Sequence, residues 1–253
     1  MYEKQKYVLG KLLGKAGIEP YTDTFFIAGG ALTSVFMNTT ISDLDIFFHD
    51  QKAFDEFKRC QGRDKPIFAN KKYFICQTDC AESYNINGIR VQLIKKLYGQ
   101  PCDVIDHFDY TICMGAYIPA DSKIFLGQNF LYHLSGKELH YNIGKYPLAS
   151  LWRARKYIEK GFKFPAIELI KLALTINNLN IKNYIDLEEQ LEGIDTLFLK
   201  DLTDALLKKG DKEFEIGEAL AFMDEILVKK VMTMGQCGAV ENQSALLHCI
   251  PKN

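Results

Sequence analysis

This chain has almost no net charge and no long apolar run. Its 253 residues carry a formal net charge of −1. The protein as a whole therefore does not attract nucleic acid, and a nucleic-acid partner would need a local basic surface. No stretch reaches the roughly 20 apolar residues that a bilayer-spanning helix needs, and the charged N-terminus lacks the apolar core of a signal peptide. We therefore expect a cytoplasmic protein with no membrane partner.

The seven cysteines indicate neither a disulfide framework nor a zinc site. An odd number spread over a chain of this length differs from the even, dense set of a small secreted domain. Cys76 and Cys80 have a spacing that a metal could use, but no cluster of histidine or cysteine completes four ligands nearby. These absences favour reduced thiols.

The composition that remains, 47% hydrophobic and 25% charged, is that of an ordinary globular protein. Short apolar runs and helical stripes alternate in the first part of the chain, and from about Pro147 onward the pattern is helical. Strands are predicted in "TFFIAGG", "DLDIFF", "KKYFICQ", "NGIRVQLIKK" and "SKIFLG". We predict an α+β fold, with a mixed sheet and flanking helices over residues 1–145 and an all-helical domain over residues 146–253.

Two carboxylates, Asp43 and Asp45, lie one residue apart in "DLDIFF". Strand alternation places both on one face, with Leu44 and Ile46 on the other. Neighbouring carboxylates repel each other, and a divalent cation between them removes that cost. Mg²⁺, or Mn²⁺ in its place, suits one or two carboxylates together with substrate phosphates. Such ions could activate an attacking hydroxyl and neutralise a leaving pyrophosphate. The alternative is a strand with two surface acids.

A diglycine turn precedes this acidic pair. Without Cβ atoms, Gly29 and Gly30 allow positive φ angles and let the backbone approach a triphosphate closely. The helix expected after them begins with N–H groups that favour anions, and Thr33 or Ser34 can add a hydroxyl. A turn that holds phosphates beside a strand that holds metal ions is the minimum that nucleotidyl transfer requires.

Gly29-Gly30 followed by Asp43-x-Asp45 resembles the signature of the polymerase-β nucleotidyltransferase superfamily. Two further stretches resemble class II CCA-adding enzymes and bacterial poly(A) polymerases. "DYTICMGAY", residues 109–117, is similar to their "RRDFTINAMAY" motif. "PLASLWRARKYIEKGF", residues 147–162, is similar to "EDPLRILRAIRFAARLGF", which opens their helical neck. The resemblance implies a nucleotidyltransferase fold, a nucleoside triphosphate as substrate and an RNA 3′ end as acceptor.

The resemblance also implies roles for individual residues. The catalytic and metal-binding residues it implies are Asp43 and Asp45. The nucleotide-binding residues it implies are Gly29, Gly30, Thr33 and Ser34 at the phosphates, Asp109 near the ribose, and Arg155 at the triphosphate or the acceptor's phosphates.

A basic stripe follows the second motif. Arg153, Lys156 and Lys160 fall near one face of the predicted helix, with Tyr157 beside them. Such a stripe is either a phosphate-contacting surface or an ordinary solvated face. Contacts to an acceptor's phosphates would give salt-sensitive affinity without sequence readout.

Three departures from the family pattern keep other functions open. His107 and Phe108 replace the arginine pair before the motif's aspartate, and the base-reading EDxxR element is absent from residues 145–149. Gln92 stands where much of the superfamily has a third carboxylate. CCA synthesis as such is therefore not expected. Two alternatives remain: nucleotidyl transfer to a protein or small molecule, as in toxin or defence proteins, and a non-catalytic nucleotide- or RNA-binding relative.

Overall fold

A computed structural model describes residues 1–18, 25–60, 67–68, 70–142, 144–191, 204–210, 212 and 215–225. The strands are β1 (Phe25–Ala28), β2 (Asp43–Phe48), β3 (Phe74–Gln77), β4 (Ala81–Ile86), β5 (Ile89–Tyr98), β6 (Gly115–Ile118) and β7 (Lys123–Leu126). The helices are α1 (Glu3–Ala16), α2 (Gly30–Phe36), α3 (Gln51–Cys60), α4 (Pro101–Asp106), α5 (Phe130–Gly136), α6 (Pro147–Glu159), α7 (Ala166–Asn177) and α8 (Tyr184–Gln190). A 3₁₀ turn spans Thr111–Cys113, and residues 204–209 and 216–225 are also helical.

The seven strands form one mixed sheet in the order β3-β4-β5-β2-β1-β6-β7. Strand β2 lies at its centre and pairs in parallel with β5, while every other neighbouring pair is antiparallel. The parallel pair is possible because α3, β3 and β4 intervene in the chain and carry it back to the same end of the sheet. The predicted α+β fold with a mixed sheet and flanking helices is confirmed.

A separate apolar cluster packs against each face of the sheet. The larger cluster contains Leu44 and Ile46 of β2 together with residues of α1 and α3. The smaller cluster lies on the opposite face and contains Phe47 with residues of β1, α4 and β6. Residues of β2 alternate between the two faces. The odd-numbered positions of this strand therefore lie on the face of the smaller cluster. Phe47 belongs to that cluster, and Asp43 and Asp45 lie beside it on the same face.

The described chain divides into two compact units. The first comprises residues 1–180 and 189–196 and contains the whole sheet and α1 to α7. The second comprises residues 181–188 and 197–253. Within the second unit, Leu206 and Tyr184 are buried and the Lys209 ammonium lies 4.8 Å from the Phe222 ring centroid. The predicted division between residues 145 and 146 follows a change in local pattern and stays a prediction. The helical predictions for residues 192–203 and 226–253 lie outside the described residues.

In the part of the chain that the structure describes, no helix combines the length and the apolar character that crossing a membrane requires.

Candidate active site

The acidic pair lies on one face of the central strand, as the alternation of β2 predicted. Leu44 and Ile46 are fully buried on the other face, whereas Asp43 and Asp45 are partly exposed. Phe47, the next residue on the acidic face, packs its ring against Phe26 and Phe108, with ring centroids 5.8 and 5.6 Å apart. The two carboxylates therefore border an apolar floor.

Asp45 is the least satisfied carboxylate of this site. Its Oδ1 atom is buried and has no hydrogen-bond partner in the described structure. Burial, and then the charge of Asp43, raise the pKa of Asp45 to about 7, against the opposing effect of Lys156 and Arg90. A buried carboxylate oxygen without a partner is costly because the charge has lost its water. A cation bound to this oxygen would remove the cost.

Asp43 is held by groups from three parts of the sequence. The Ser42 hydroxyl donates a hydrogen bond of 2.8 Å to Asp43 Oδ2. Arg90, directly opposite Asp43 on the parallel strand β5, places Nε 3.6 Å from Oδ1. Lys156 of α6 places its ammonium 4.0 Å from Oδ2. Asp43 is therefore oriented by one short hydrogen bond and by two cations at 3.6 and 4.0 Å.

The diglycine turn lies directly beside Asp45. Gly29 has a φ of +83°, in the region that favours glycine. A Cβ atom there would lie 3.9 Å from Asp45 Oδ2 and 3.8 Å from Phe108 Cε2. A Cβ atom at Gly30 would lie 3.5 Å from the Tyr157 hydroxyl. The structure therefore brings together Gly29, Gly30 and the acidic pair. Because glycine has no side chain, neither residue covers the backbone of the turn.

Thr33 and Ser34 lie on α2 and are each 4% exposed. The Thr33 hydroxyl donates a hydrogen bond of 2.6 Å to the carbonyl oxygen of Ile112. That bond fixes α2 to the 3₁₀ turn. The expected contacts of these two hydroxyls with phosphate stay predictions.

Asp109 has an arginine partner that the sequence motif does not predict. Asp109 is 7% exposed, and Arg153 of α6 places both Nε and Nη2 2.7 Å from its Oδ2 atom. Arg153 therefore gives Asp109 an arginine partner, which positions 107 and 108 do not supply. The spacing of Arg153, Lys156 and Lys160 was the available signal, since it placed all three on one helical face.

Arg155 lies on a different face of α6. Its side chain is 63% exposed and its Nε donates a hydrogen bond of 2.9 Å to Glu159. Its guanidinium carbon lies 5.6 Å from the centroid of the Trp152 ring. The structure does not bring Arg155 together with the acidic pair, and its nucleotide-binding role stays a prediction.

The position of the third superfamily carboxylate holds an amide. Gln92 lies opposite Asp45 on β5, and its Nε2 donates a hydrogen bond of 3.4 Å to the Ser83 hydroxyl. No group of three His, Cys, Asp or Glu side chains suited to a metal occurs among the described residues. A divalent cation here would rest on Asp43 and Asp45, which suits Mg²⁺ because Mg²⁺ takes few carboxylates and completes its shell with water and phosphate.

Comparison with known proteins gives a family for the first half of the chain. Residues 1–137 match the sequence model described as "Gad2: Gabija anti-defense 2 family protein". The protein "Gabija anti-defense 2" of Bacillus phage SPbetaL7 is 30% identical over 223 residues, which cover 87% of this chain and 53% of that protein. The chain thus spans about half the length of this relative.

Comparison with solved structures gives the fold. A CCA-adding enzyme in apo form I superposes with a TM-score of 0.50 at 16% identity, over 88% of this chain and 51% of that chain. The complex of a CCA-adding enzyme with CTP gives a TM-score of 0.50 at 15% identity, over 88% and 52%. Similarity at this level of identity concerns the fold alone, and it confirms the nucleotidyltransferase fold followed by a helical region.

Proposed function

This chain belongs to the Gabija anti-defense 2 family, and we propose that it is a metal-dependent nucleotidyltransferase. It moves a nucleoside monophosphate from an NTP to an acceptor hydroxyl. The observation that carries this proposal is the state of Asp45, whose buried Oδ1 atom has no partner and whose pKa is raised by burial and by Asp43. The nucleotidyltransferase fold supports it independently.

The side chains of this site divide the work between them. Asp43 and Asp45 would hold Mg²⁺, which would screen the triphosphate's charge and favour ionisation of the acceptor hydroxyl. Gly29 leaves room for phosphate beside Asp45, since no Cβ occupies that space. Arg90 keeps the Asp43 carboxylate in place from the neighbouring strand. Binding of a cation requires Asp45 to be ionised, and its raised pKa makes that step depend on pH.

The reaction proposed is an in-line displacement at the α-phosphorus. The acceptor oxygen forms a bond to the α-phosphorus and loses its proton, the bond from the α-phosphorus to the β-phosphate bridge oxygen breaks, and pyrophosphate leaves. One bond to phosphorus forms and one breaks, and no oxidation state changes, so the reaction needs no oxidant or further cosubstrate.

Two observations help to identify the acceptor: the family to which the chain belongs and the absence of the base-reading element. A tRNA-like 3′ end is the acceptor that the motif resemblance implies, but residues 145–149 lack the EDxxR element. Membership of an anti-defence family supports an acceptor within the Gabija response, either a protein or a nucleic acid. We propose that transfer to this acceptor counteracts the defence.

The test uses NTPs labelled at the α-phosphate. Purified protein, Mg²⁺ and each labelled NTP are incubated with total RNA and, separately, with the purified Gabija proteins. Transfer of label to one of these acceptors is expected, and it should disappear when Asp43→Asn and Asp45→Asn are combined. In cells that carry Gabija, the same double variant should lose the ability to restore phage growth. Undiminished labelling or phage rescue by the folded double variant would refute the proposal.

A further inference from the structure

Two histidine rings, one on α5 and one in the segment that follows it, are stacked on each other. The ring centroids of His133 and His140 lie 3.6 Å apart, and the ring planes differ by 10°. His133 is 8% exposed, and the ring centroid of Tyr132 lies 5.4 Å from that of His133. Because both imidazoles can take up a proton near neutral pH, two rings this close must titrate as a coupled pair.

Carboxylates face both ring nitrogens of His140. Its Nε2 atom lies 3.3 Å from Glu138 Oε2, and its Nδ1 atom lies 3.4 Å from Glu168 Oε1. Glu168 belongs to α7 and is 3% exposed. Its Oε1 accepts a hydrogen bond of 2.6 Å from the Lys171 ammonium, and its Oε2 accepts one of 2.9 Å from the Tyr141 N–H. Glu168 therefore fastens the segment that carries His140 to α7.

His133 faces a neutral group instead. Its Nδ1 atom lies at a hydrogen-bond distance of 2.8 Å from Thr111 Oγ1, in the 3₁₀ turn. Burial and then the charge of His140 lower the pKa of His133, against the opposing effect of Glu138 and Glu168. A proton that enters the pair is therefore better held by His140, which has carboxylates at both nitrogens.

The charges of this cluster balance with one proton on the pair and not with two. Glu138 and Glu168 are two negative groups, and Lys171 is one positive group. One imidazolium brings the sum to zero, and a second gives an excess of one positive charge. The adjoining Lys137 and Lys163 are exposed to solvent, which screens their charges. Two imidazolium rings at stacking distance would repel each other strongly, because burial has removed water from between them.

The segment around His140 also positions Asp109. The Thr111 N–H donates a hydrogen bond of 3.1 Å to the carbonyl oxygen of His140. The Asn142 N–H donates one of 2.7 Å to the carbonyl oxygen of Asp109. The two stretches of backbone therefore lie side by side, and a repulsion at His140 acts on the backbone that holds Asp109.

We propose that His133 and His140 form a proton-sensitive junction between α7 and the backbone of Asp109. The junction is closed when the pair carries one proton or none. A second proton forces the rings apart, so that the pairing of residues 109–111 with residues 140–142 opens. This conformational device goes beyond the proposed transfer reaction, and its tests need no nucleotide.

The first test is an NMR titration of the histidine Cε1–H groups from pH 8 to pH 4.5. The pair should titrate in two steps at least ~1 pH unit apart, and the second step should coincide with loss of the chemical shifts that stacking causes. His107 is exposed and lies outside the pair, so it should titrate in one step. If both stacked rings titrate together in a single step, as His107 does, the proposal is overturned.

Amide hydrogen exchange locates the opening. Because the pKa of His133 is lowered in the closed junction, its contribution to closure is full above its ordinary value of 6.5 and is lost as the pH falls below that value. After correction for intrinsic exchange rates, protection of the Thr111, Tyr141 and Asn142 amides should fall at least ~10-fold between pH 7.5 and pH 5. Amides that pair β4 with β5 should keep their protection. Constant protection at the three amides would overturn the proposal.

Two variants test the pair directly. His133→Asn keeps a polar atom close to the place of Nδ1, beside Thr111, and cannot take up a proton. It should therefore keep the three amides protected at pH 5. His107→Gln removes an exposed histidine from outside the pair and should leave the acid-induced loss of protection unchanged. The same loss of protection in the folded His133→Asn variant would contradict the proposal.

A third variant keeps the proposal testable if His133→Asn folds poorly. The side chain of Glu138 is 42% exposed, so Glu138→Gln should fold. This change removes one of the two carboxylates that favour the first proton, and the first titration step should therefore move to lower pH by about 0.5 of a pH unit. A first step that stays in place in the folded Glu138→Gln variant would refute the charge balance on which the junction rests.

Discussion

The sheet holds two carboxylates, Glu82 and Asp45, whose charged forms are both penalised by burial but whose neighbouring groups differ. Glu82 on β4 is 6% exposed, and its Oε2 accepts hydrogen bonds of 2.7 Å from Lys58 and 2.6 Å from the Tyr84 hydroxyl. Burial acts to raise the pKa of Glu82, but these two hydrogen bonds and the charge of Lys58 outweigh it, so the pKa is lowered. Asp45 has a buried oxygen with no such donor, and its pKa is raised.

The difference separates a structural acid, which has its partners within the fold, from an acid that the proposed function assigns to a cation. A buried carboxylate that has its partners within the chain stabilises the fold and has no capacity left for a ligand. A buried carboxylate oxygen without a partner costs stability in the free protein, and that cost is recovered when a cation binds. Under the proposed function, the acidic pair on β2 is therefore the position in this sheet where the fold loses stability in favour of cation binding.

The largest difference that we expect between these carboxylates is in the rate of nucleotidyl transfer. Asp43→Asn and Asp45→Asn should each lower kcat by on the order of 1,000-fold, because the cation's charge stabilisation at the transition state is lost. Glu82→Gln should change kcat by less than about threefold. Steady-state assays with labelled NTP measure both. A similar loss in all three folded variants would show that the sheet's acids are not functionally distinct.

The next effect is on stability and has the opposite pattern. Glu82→Ala should lower the free energy of unfolding by about 2–3 kcal/mol, because it leaves Lys58 and the Tyr84 hydroxyl without their acceptor. Asp45→Ala should cost much less, since no hydrogen bond to its buried oxygen is lost. Urea unfolding of the two variants at pH 7 compares them directly. Equal costs would contradict the assignment of Glu82 as the structural acid.

The two arginines of α6 extend the comparison to a third carboxylate. Arg153→Ala should lower the free energy of unfolding by about 2 kcal/mol, because it leaves Asp109 buried without its ion-pair partner. Arg155→Ala should cost no more than about 0.5 kcal/mol, since its pair with Glu159 is exposed on both sides. Thermal or urea unfolding of both variants is the measurement. A larger loss of unfolding free energy from Arg155→Ala than from Arg153→Ala would contradict the assignment of Arg155 to the solvated face of α6.

The smallest of these effects is the pH dependence of Asp45. Because the pKa of Asp45 is raised from its ordinary value of 3.8 to about 7 in the folded protein, the folded state holds a proton that the unfolded state releases near pH 3.8. The contribution of Asp45 to stability is therefore full below pH 3.8 and is lost as the pH rises through 7. Asp45→Asn cannot ionise, so at pH 8 without divalent cations it should be more stable than the native protein by about 1–2 kcal/mol.

Unfolding curves from pH 5 to pH 9 measure this difference. The gain in stability of Asp45→Asn over the native protein should grow between pH 6 and pH 8, and Asp43→Asn should reduce the pH dependence because it removes one cause of the raised pKa. A gain that is constant across this range would mean that Asp45 titrates near its ordinary pKa.

The part of the site that could be predicted from the sequence is the part built by neighbouring residues. Alternation within "DLDIFF" was enough to place Asp43 and Asp45 on one face, and the positive φ of Gly29 agrees with the need for glycine in the turn. The pairing of Arg90 with Asp43 depends on parallel strands that are distant in sequence. The pairing of Arg153 with Asp109 depends on helix packing. Local pattern specifies neither of these contacts.

Physical reasons also explain why the sequence pattern does not predict α4, α5 and β4. Helices α4 and α5 have six and seven residues, which is too short for a period of 3.6 to show. Strand β4 lacks visible alternation because Glu82 and Ser83 are polar yet buried. Its hairpin did have a signal, since Asn87 and Gly88 both adopt positive φ and join β4 to β5. The local pattern of "NGIRVQLIKK" instead predicts a strand that begins at this dipeptide.

The most direct test of the account is a calorimetric titration of the metal-free protein with Mn²⁺ in the presence of a non-hydrolysable NTP analogue, at pH 6 and pH 8. The account predicts binding that is tighter at pH 8, accompanied by proton release near pH 7, abolished by combining Asp43→Asn with Asp45→Asn, and unchanged by Glu82→Gln. Binding of equal strength in the folded double variant would contradict the claim that the acidic pair of β2 holds the cation.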